Sequence, residues 1–311
     1  MITVNKPRNF FVAVALGAFL TTSFTACDKD DNDMAGPQSI ADIVNTNASF
    51  SLLKAAVAKA ELGAALSSGS LTVFAPDDAA FAASGITSAT IGSLTKEQLA
   101  DILTYHVVGA EVPSSSVPAS DTVKTLQGRN IYASKNSNGV FVNGSAVKTA
   151  DVDASNGVIH VISSVLMPPT KTIAQLAAET PALSVLYAAV AKAGLAGAVS
   201  GAGKYTVFAP TNTALAAAGF PTPESINAAD AAAVAGIVTA HVLPTNVFSS
   251  DLINAATAAT IKPGTSLTVG TTPPSVKIST SAATPSNIVV PAGVNIIATN
   301  GVIHLIDKVL L

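Results

Sequence analysis

An internal duplication constrains this chain more than any other feature of its sequence. Four stretches recur in the same order: LLKAAVAKAEL as VLYAAVAKAGL, LTVFAPDDAAF as YTVFAPTNTAL, TYHVV as TAHVL, and NGVIHVI as NGVIHLI. The two copies of these stretches begin at Leu52 and Val185, Leu71 and Tyr205, Thr104 and Thr239, and Asn156 and Asn300. A repeat of roughly 135 residues is longer than the 20–50-residue units of solenoid proteins, so it predicts two copies of one whole domain.

The positions of the repeats divide the chain into four parts. We predict a signal peptide at 1–26, an acidic tether at 27–37, a first domain at 38–168 and a second domain at 169–311. The spacing between the copies is nearly constant and then grows by nine residues before Asn300. The extra residues therefore lie in the second domain after His241, where STSAATPSNIVVPAG predicts a loop.

The N-terminal residues have the three parts of an export signal. Lys6 and Arg8 precede the apolar run FFVAVALGAFL, and small residues follow it. The run is shorter than the ~20 residues of a membrane span. The stretch FTAC at residues 24–27 resembles the lipoprotein box of bacteria, and the acidic DKDDND after it resembles a surface-export signal. This resemblance implies a lipid on Cys27 and a place on the outer membrane, facing the cell exterior; the alternative is a secretory signal with an unrelated cysteine.

Composition narrows the classes of function. Charged residues make up 11% of the chain and hydrophobic residues 49%, which suits large cores and offers few charges to a polar active site. The net charge of −3 and the absence of a basic stripe disfavour nucleic acid as a partner. The single cysteine excludes an internal disulfide and a multi-cysteine zinc site. The HExxH and GxSxG motifs are also absent, so we predict no catalytic residue, metal or cofactor.

Each copy is predicted to begin with helices and to end in strands. Ser39 with Asp42, and Thr172 with Gln175, have the spacing of a capping box at a helix start. LTVFAP predicts a buried strand that ends at Pro76, and NIYAS, GVFVNG and GVIHVI predict later strands. Helices followed by clustered strands predict an α+β fold with a mostly antiparallel sheet.

The motifs TVFAPDDAAF, LTYHVV and NGVIHVI, in this order, resemble the fasciclin domain family. Each motif occurs twice, and the resemblance spans about residues 38–311. It implies two tandem fasciclin-like domains, each a mostly antiparallel β wedge of about seven strands with several packed helices. It also implies a non-catalytic cell-surface protein that acts in adhesion, with a surface or matrix protein, or a glycan, as the partner. A module that binds a glycan or a small molecule, and an unrecognised hydrolase that uses His106 or His241, remain as alternatives.

The LTYHVV motif carries the residues that the resemblance connects with partner binding. These residues are Leu103, Tyr105 and His106, with His241 as the equivalent histidine of the second copy. Ala240 replaces the tyrosine there, so the motif is intact only in the first copy. The pair at the helix end is either a recognition surface or a packed pair that closes the helix. The helix dipole at this end favours a protonated His106.

The NGVIH stretches are predicted to be structural. In a strand with apolar residues on both faces, a neutral histidine can donate from one ring nitrogen and accept at the other, which ties a loop to the sheet. Asn-Gly favours a turn with positive φ and sets where the strand begins. The predicted structural residues are Asn156, Gly157, His160, Asn300, Gly301 and His304.

Overall fold

The computed structural model describes residues 36–197, 201, 203–253, 256–272, 275–280, 286–289 and 293–310. The predicted signal peptide, Cys27 and nearly all of the predicted tether lie outside these residues, as does much of the predicted loop in STSAATPSNIVVPAG. Residues Pro37–Leu311 form one compact unit that contains both copies of the repeat.

The described part of the first domain contains five α-helices. They are α1 (Ile40–Thr46), α2 (Ser51–Ala60), α3 (Asp78–Ala83), α4 (Ser88–Ser93) and α5 (Lys96–Tyr105). The predicted capping box at α1 is confirmed, because Ser39 and Asp42 exchange side-chain-to-backbone hydrogen bonds. Phe50, Leu53 and Val57 lie on one buried face of α2 and the turn before it, as helical spacing requires.

Seven strands of the first domain form one sheet. They are β1 (Leu71–Pro76), β2 (Val107–Val108), β3 (Ser120–Lys124), β4 (Asn130–Asn136), β5 (Gly139–Val142), β6 (Ser145–Ala154) and β7 (Gly157–Ile162). Their order is β2-β1-β7-β6-β5-β4-β3. All neighbours are antiparallel except β1 and β7, which run parallel with Phe74 opposite His160. The NGVIHVI stretch is therefore a central strand.

The second domain repeats this plan. Its helices are α6 (Ile173–Glu179), α7 (Ser184–Lys192), α8 (Asn212–Ala217), α9 (Pro223–Ala228) and α10 (Ala231–Ala240). Its strands are β8 (Tyr205–Pro210), β9 (Val242–Leu243), β10 (Thr257–Ala259), β11 (Ser266–Thr272), β12 (Ser275–Thr280), β13 (Ser286–Asn287), β14 (Ile296–Ala298) and β15 (Gly301–Ile306). The predicted α+β class with mostly antiparallel sheets is thus confirmed in both copies.

The sheet of the second domain is divided where that of the first is continuous. The strand orders are β14-β15-β8-β9 and β10-β11-β12-β13, and an isolated bridge between Ile288 and Ile306 connects the two sheets. Two short strands, β13 and β14, stand where the first domain has the single long strand β6. The strand equivalent to β6 is therefore interrupted in the second copy, while the parallel pair of β8 and β15 is retained.

Candidate functional site

His160 connects the central strand of the first domain to a neighbouring loop. The backbone N–H of Asp151 donates to Nδ1 of His160 over 3.2 Å. Nε2 therefore carries the ring proton and donates to the carbonyl of Val112 over 2.9 Å. The ring is buried and stacks on Phe74 with 5.5 Å between centroids. Both ring nitrogens are occupied, so this histidine has none left for a ligand.

His304 has the same surroundings in the second domain. It accepts from the N–H of Asn295 over 3.3 Å and donates to the carbonyl of Val247 over 2.8 Å. Its ring stacks on Phe208 at 5.4 Å. Both domains thus place a histidine between the same three segments.

Replacing His304 with alanine tests the structural role. The change removes two buried hydrogen bonds and leaves a cavity, so we expect a loss of about 3 kcal/mol in the free energy of unfolding. Thermal unfolding of His304→Ala checks this against Lys308→Ala, whose side chain is exposed on the same segment. A variant that melts like the wild type and yet loses a binding activity would show that His304 is a functional residue.

Two residues that the sequence analysis missed complete this arrangement, one within β6 and the other just before β14. Asp151 and Asn295 both have positive φ, of 56° and 53°, which turns their backbone N–H toward the histidine. The Asp151 carboxylate also accepts from the N–H of Ser114 over 2.8 Å, and Asn295 accepts likewise from Ser249. The hydroxyl and the N–H of Ser114 lower the pKa of Asp151. Asp and Asn tolerate this conformation best, but the two residues differ in type and lie outside the repeated stretches, so comparing the copies did not reveal them.

His106 connects the end of α5 to the segment after β7. Its Nε2 accepts from the backbone N–H of Leu166 over 2.9 Å. Nδ1 therefore carries the proton and donates to the carbonyl of Ile102 over 2.8 Å. The ring is neutral in this arrangement, because protonation would set a second N–H against that of Leu166.

His241 repeats these contacts and corrects one expectation. It accepts from the N–H of Leu310 over 2.9 Å and donates to the carbonyl of Ile237 over 2.8 Å. Burial lowers the pKa of both His106 and His241 to about 4. The expectation of a protonated histidine at the helix end is therefore wrong, since the cost of burying the charge exceeds the stabilisation by the helix dipole.

All four residues predicted to bind a partner lie inside the protein. Their exposed fractions are 7% for Leu103, 0% for Tyr105, 3% for His106 and 1% for His241. The Tyr105 hydroxyl donates to the carbonyl of Asn130 over 3.1 Å and accepts from the side chain of Asn143 over 3.0 Å. This burial favours the packed pair over a surface that touches a partner directly.

The Asn-Gly pair before β7 joins distant parts of the first domain. The Asn156 side chain accepts from the N–H of Ile40 and donates to the carbonyl of Leu66, each over 2.9 Å. Only Gly157 has positive φ, of 139°, and a Cβ there would lie 1.9 Å from the carbonyl oxygen of Leu71. The expected turn is present, but close packing against β1 and long-range hydrogen bonds account for these two residue types.

The second copy has the same contacts. The Asn300 side chain accepts from the N–H of Ile173 over 2.9 Å and donates to the carbonyl of Gly201 over 3.1 Å. A Cβ on Gly301 would lie 2.0 Å from the carbonyl oxygen of Tyr205. Each Asn-Gly pair therefore fastens the first helix of its domain to the central parallel strands.

Contacts between side chains connect the two domains. Tyr132 of β4 stacks on Phe248 of the second domain with 5.0 Å between ring centroids. The Ser134 hydroxyl donates to the Asp251 carboxylate over 2.7 Å. Phe248 is buried. The two domains thus meet through an aromatic pair and directional hydrogen bonds.

A cleft of about 500 Å³ opens beside this contact. Arg129, Tyr132 and Asn143 line it from the first domain, and Lys204, Asn246 and Phe248 line it from the second. Its volume is in the range of ordinary ligand sites. This cleft is the candidate functional site, and the repeated motifs did not predict it.

Within the part of the chain that the structure describes, no group of three or more His, Cys, Asp or Glu side chains could hold a metal ion. No single described helix is long and apolar enough to span a membrane; one bent pair, Ile173–Glu179 with Pro181–Lys192, passes by length and composition alone.

Comparison with known proteins identifies a family. The family model of the fasciclin domain matches residues 48–168 and 181–311. Protein sll1483 of Synechocystis is 44% identical over 135 residues, covering 42% of this chain and 73% of that protein. Transforming growth factor-beta-induced protein ig-h3 of Sus scrofa is 30% identical over 248 residues, covering 78% of this chain and 35% of that protein. The chain thus spans about a third of ig-h3.

Two more similar proteins have names that mention the cell surface or cell adhesion. Cell surface glycolipoprotein MPB83 of Mycobacterium bovis is 34% identical over 108 residues, covering 34% of this chain and 47% of that protein. A solved domain pair from the insect cell adhesion molecule Fasciclin I is 20% identical, with a TM-score of 0.41, and the match covers 78% of this chain and 88% of that one. Because the family model matches most of the chain in two consecutive segments, the protein belongs to the fasciclin domain family and carries two tandem copies of its domain.

Proposed function

We propose that this protein is a cell-surface adhesion protein that binds a surface or matrix partner without covalent chemistry. The observation that carries the proposal is the tandem pair of fasciclin domains joined through Tyr132 and Phe248. Two domains joined in this way hold their two surfaces in a fixed orientation relative to each other. When one surface has bound, binding of the second becomes intramolecular, which strengthens weak contacts.

The name of one relative supports the location. MPB83 is called a cell surface glycolipoprotein. The four histidines favour binding over hydrolysis, because each already uses both ring nitrogens in hydrogen bonds within the fold. A general base needs a nitrogen that is free to take a proton from substrate.

The proposed anchor is a lipid on Cys27. Several acyl chains hold a protein on a membrane far more firmly than one, so lipidation of this residue would keep the domains at the outer membrane. We expect Cys27→Ala to move the folded protein from the membrane fraction to the soluble or secreted fraction and to abolish incorporation of labelled palmitate. Cell fractionation and labelling of the producing bacterium measure this. If Cys27→Ala stays in the membrane fraction, the proposed anchor is wrong.

Adhesion is tested with the same strains. Cells that lack the protein are complemented with the wild type or with Cys27→Ala, and their attachment to surfaces coated with matrix proteins or with polysaccharides is counted. We expect attachment only with the wild type. Equal attachment of cells with and without the protein would refute an adhesion role.

A further inference from the structure

The cleft between the domains has a one-sided distribution of charge. Arg129 contributes a guanidinium from the first domain and Lys204 contributes an ammonium from the second, and no Asp or Glu is among the residues that line it. Neither cation makes an ion pair within the described ranges. Arg129 donates to the carbonyl of Pro169, and Lys204 donates to the Thr122 hydroxyl over 3.4 Å. Both cations are therefore available to an anionic ligand.

The other groups in the cleft suit a ligand rich in hydroxyl groups. Asn130 and Thr299 add an amide and a hydroxyl group to its wall. Asn246 Oδ1 is buried and has no hydrogen-bond partner among the described residues. A buried carbonyl oxygen without a donor is costly, and a ligand hydroxyl would satisfy it.

The cleft continues past the aromatic contact. Tyr132 and Asn246 also line a second cleft of about 380 Å³, so the two spaces adjoin at these residues. The half-buried ring of Tyr132 offers an apolar surface for the C–H groups of a sugar ring. An occupant longer than one ring could therefore extend from the first cleft into the second.

We propose that the interdomain cleft binds an acidic oligosaccharide. Its carboxylate or sulfate groups pair with Arg129 and Lys204, and its hydroxyl groups donate to Asn246. Guanidinium and ammonium groups favour such anions, and one from each domain means that the ligand bridges the pair. The inference rests on the proposed function, since it names the partner class of the adhesion protein.

Binding is measured with the full-length chain in detergent. Three probes are compared: oligogalacturonate, which carries carboxylates; a sulfated dextran oligosaccharide; and neutral dextran of the same length. Calorimetry measures the affinity of each probe, and the shift in Tm gives a second measure of binding. We expect at least one acidic probe to bind and to raise Tm, and binding to weaken as salt rises. Preference for one acidic probe identifies carboxylate or sulfate as the recognised anion. No binding of either, or equal binding of neutral dextran, overturns the proposal.

Variants locate the site. We expect Arg129→Met with Lys204→Met to weaken binding of the acidic probe by about 10-fold or more. We expect Lys204→Met alone to give a smaller loss of affinity. It does not endanger folding, because the Lys204 side chain is exposed. Lys54→Met is the matched control, since Lys54 lies on α2 and is bonded to the Asn45 carbonyl. Unchanged affinity in the double variant places the ligand elsewhere and overturns the proposal.

The adhesion assay separates this inference from the proposed function. If the double variant loses the oligosaccharide and its cells also lose attachment, both are supported. If its cells still attach, the oligosaccharide is not the adhesion partner, so the inference fails and the proposed function stands. If wild-type cells do not attach although the acidic probe binds at Arg129 and Lys204, the proposed function fails and the site stands.

Discussion

Replacing Gly157 with alanine is expected to lower the free energy of unfolding of the first domain by about 4 kcal/mol. Gly157 is opposite Leu71 in the parallel pair of β1 and β7. A Cβ there would lie 1.9 Å from the Leu71 carbonyl oxygen and 2.7 Å from its nitrogen, and both belong to backbone that cannot rotate away. The φ of 139° adds strain for any residue with a side chain. The variant must either separate the central strands or change the turn.

Urea unfolding followed by circular dichroism measures this effect. Gly63→Ala is the control, because a Cβ on Gly63 has no atom within 4 Å and its φ is not positive. The second domain serves as a reference within the same molecule. Gly301→Ala should instead lower the free energy of unfolding of the second domain. If Gly157→Ala unfolds within about 1 kcal/mol of the wild type, the close approach of Leu71 does not hold in solution.

The elements that could be predicted from sequence are those that short stretches determine. Ser39 with Asp42 forms a capping box within four residues, and LTVFAP is a short apolar run ending in proline that forms a buried strand. The repeat then showed that both copies share these elements. In contrast, the Asn156 side chain bonds to the N–H of Ile40, 116 residues away in sequence. No local pattern contains such a pair, so the reason for Asn at this position required the fold.

The candidate site could not be predicted from the sequence for a related reason. Comparing the two copies finds residues that both domains need, and these are core residues such as His160 and His304. The cleft depends on what differs between the copies. Phe248, which forms the aromatic contact, is the residue after Val247, whereas Pro113 follows the equivalent Val112. Internal similarity therefore identified the fold, while the surface between the domains lies where similarity ends.

Acidification is expected to destabilise the protein strongly between pH 6.5 and about 4. Burial lowers the pKa of His106, His241 and His304 to about 4, whereas a histidine in the unfolded chain titrates near 6.5. In this interval the unfolded chain binds more protons than the folded one, so the free energy of unfolding falls as pH falls. Each of the three contributes up to about 3 kcal/mol, present in full above pH 6.5 and lost by about pH 4.

The hydrogen bonds explain why the folded state resists protonation. At Nε2 of His106 and His241 the ring accepts a backbone N–H, and at His304 it does so at Nδ1. A proton on that nitrogen would break the bond and leave a charge among apolar side chains. Protonation of the folded state is therefore unfavourable until the pH falls to about 4.

Urea unfolding at a series of pH values measures the proton uptake. We expect the free energy of unfolding of the wild type to decrease steeply below pH 6.5, with more than one proton taken up near pH 5. His106→Gln retains a donor and an acceptor but does not titrate, so it should be less stable at pH 7 and lose less stability on acidification, with one proton fewer taken up. The pH dependence of the free energy of unfolding shows whether His106 titrates. The free energy of unfolding at a single pH also includes the effect of the substitution on packing. An equal slope in the wild type and His106→Gln would show that His106 is not held neutral in the fold.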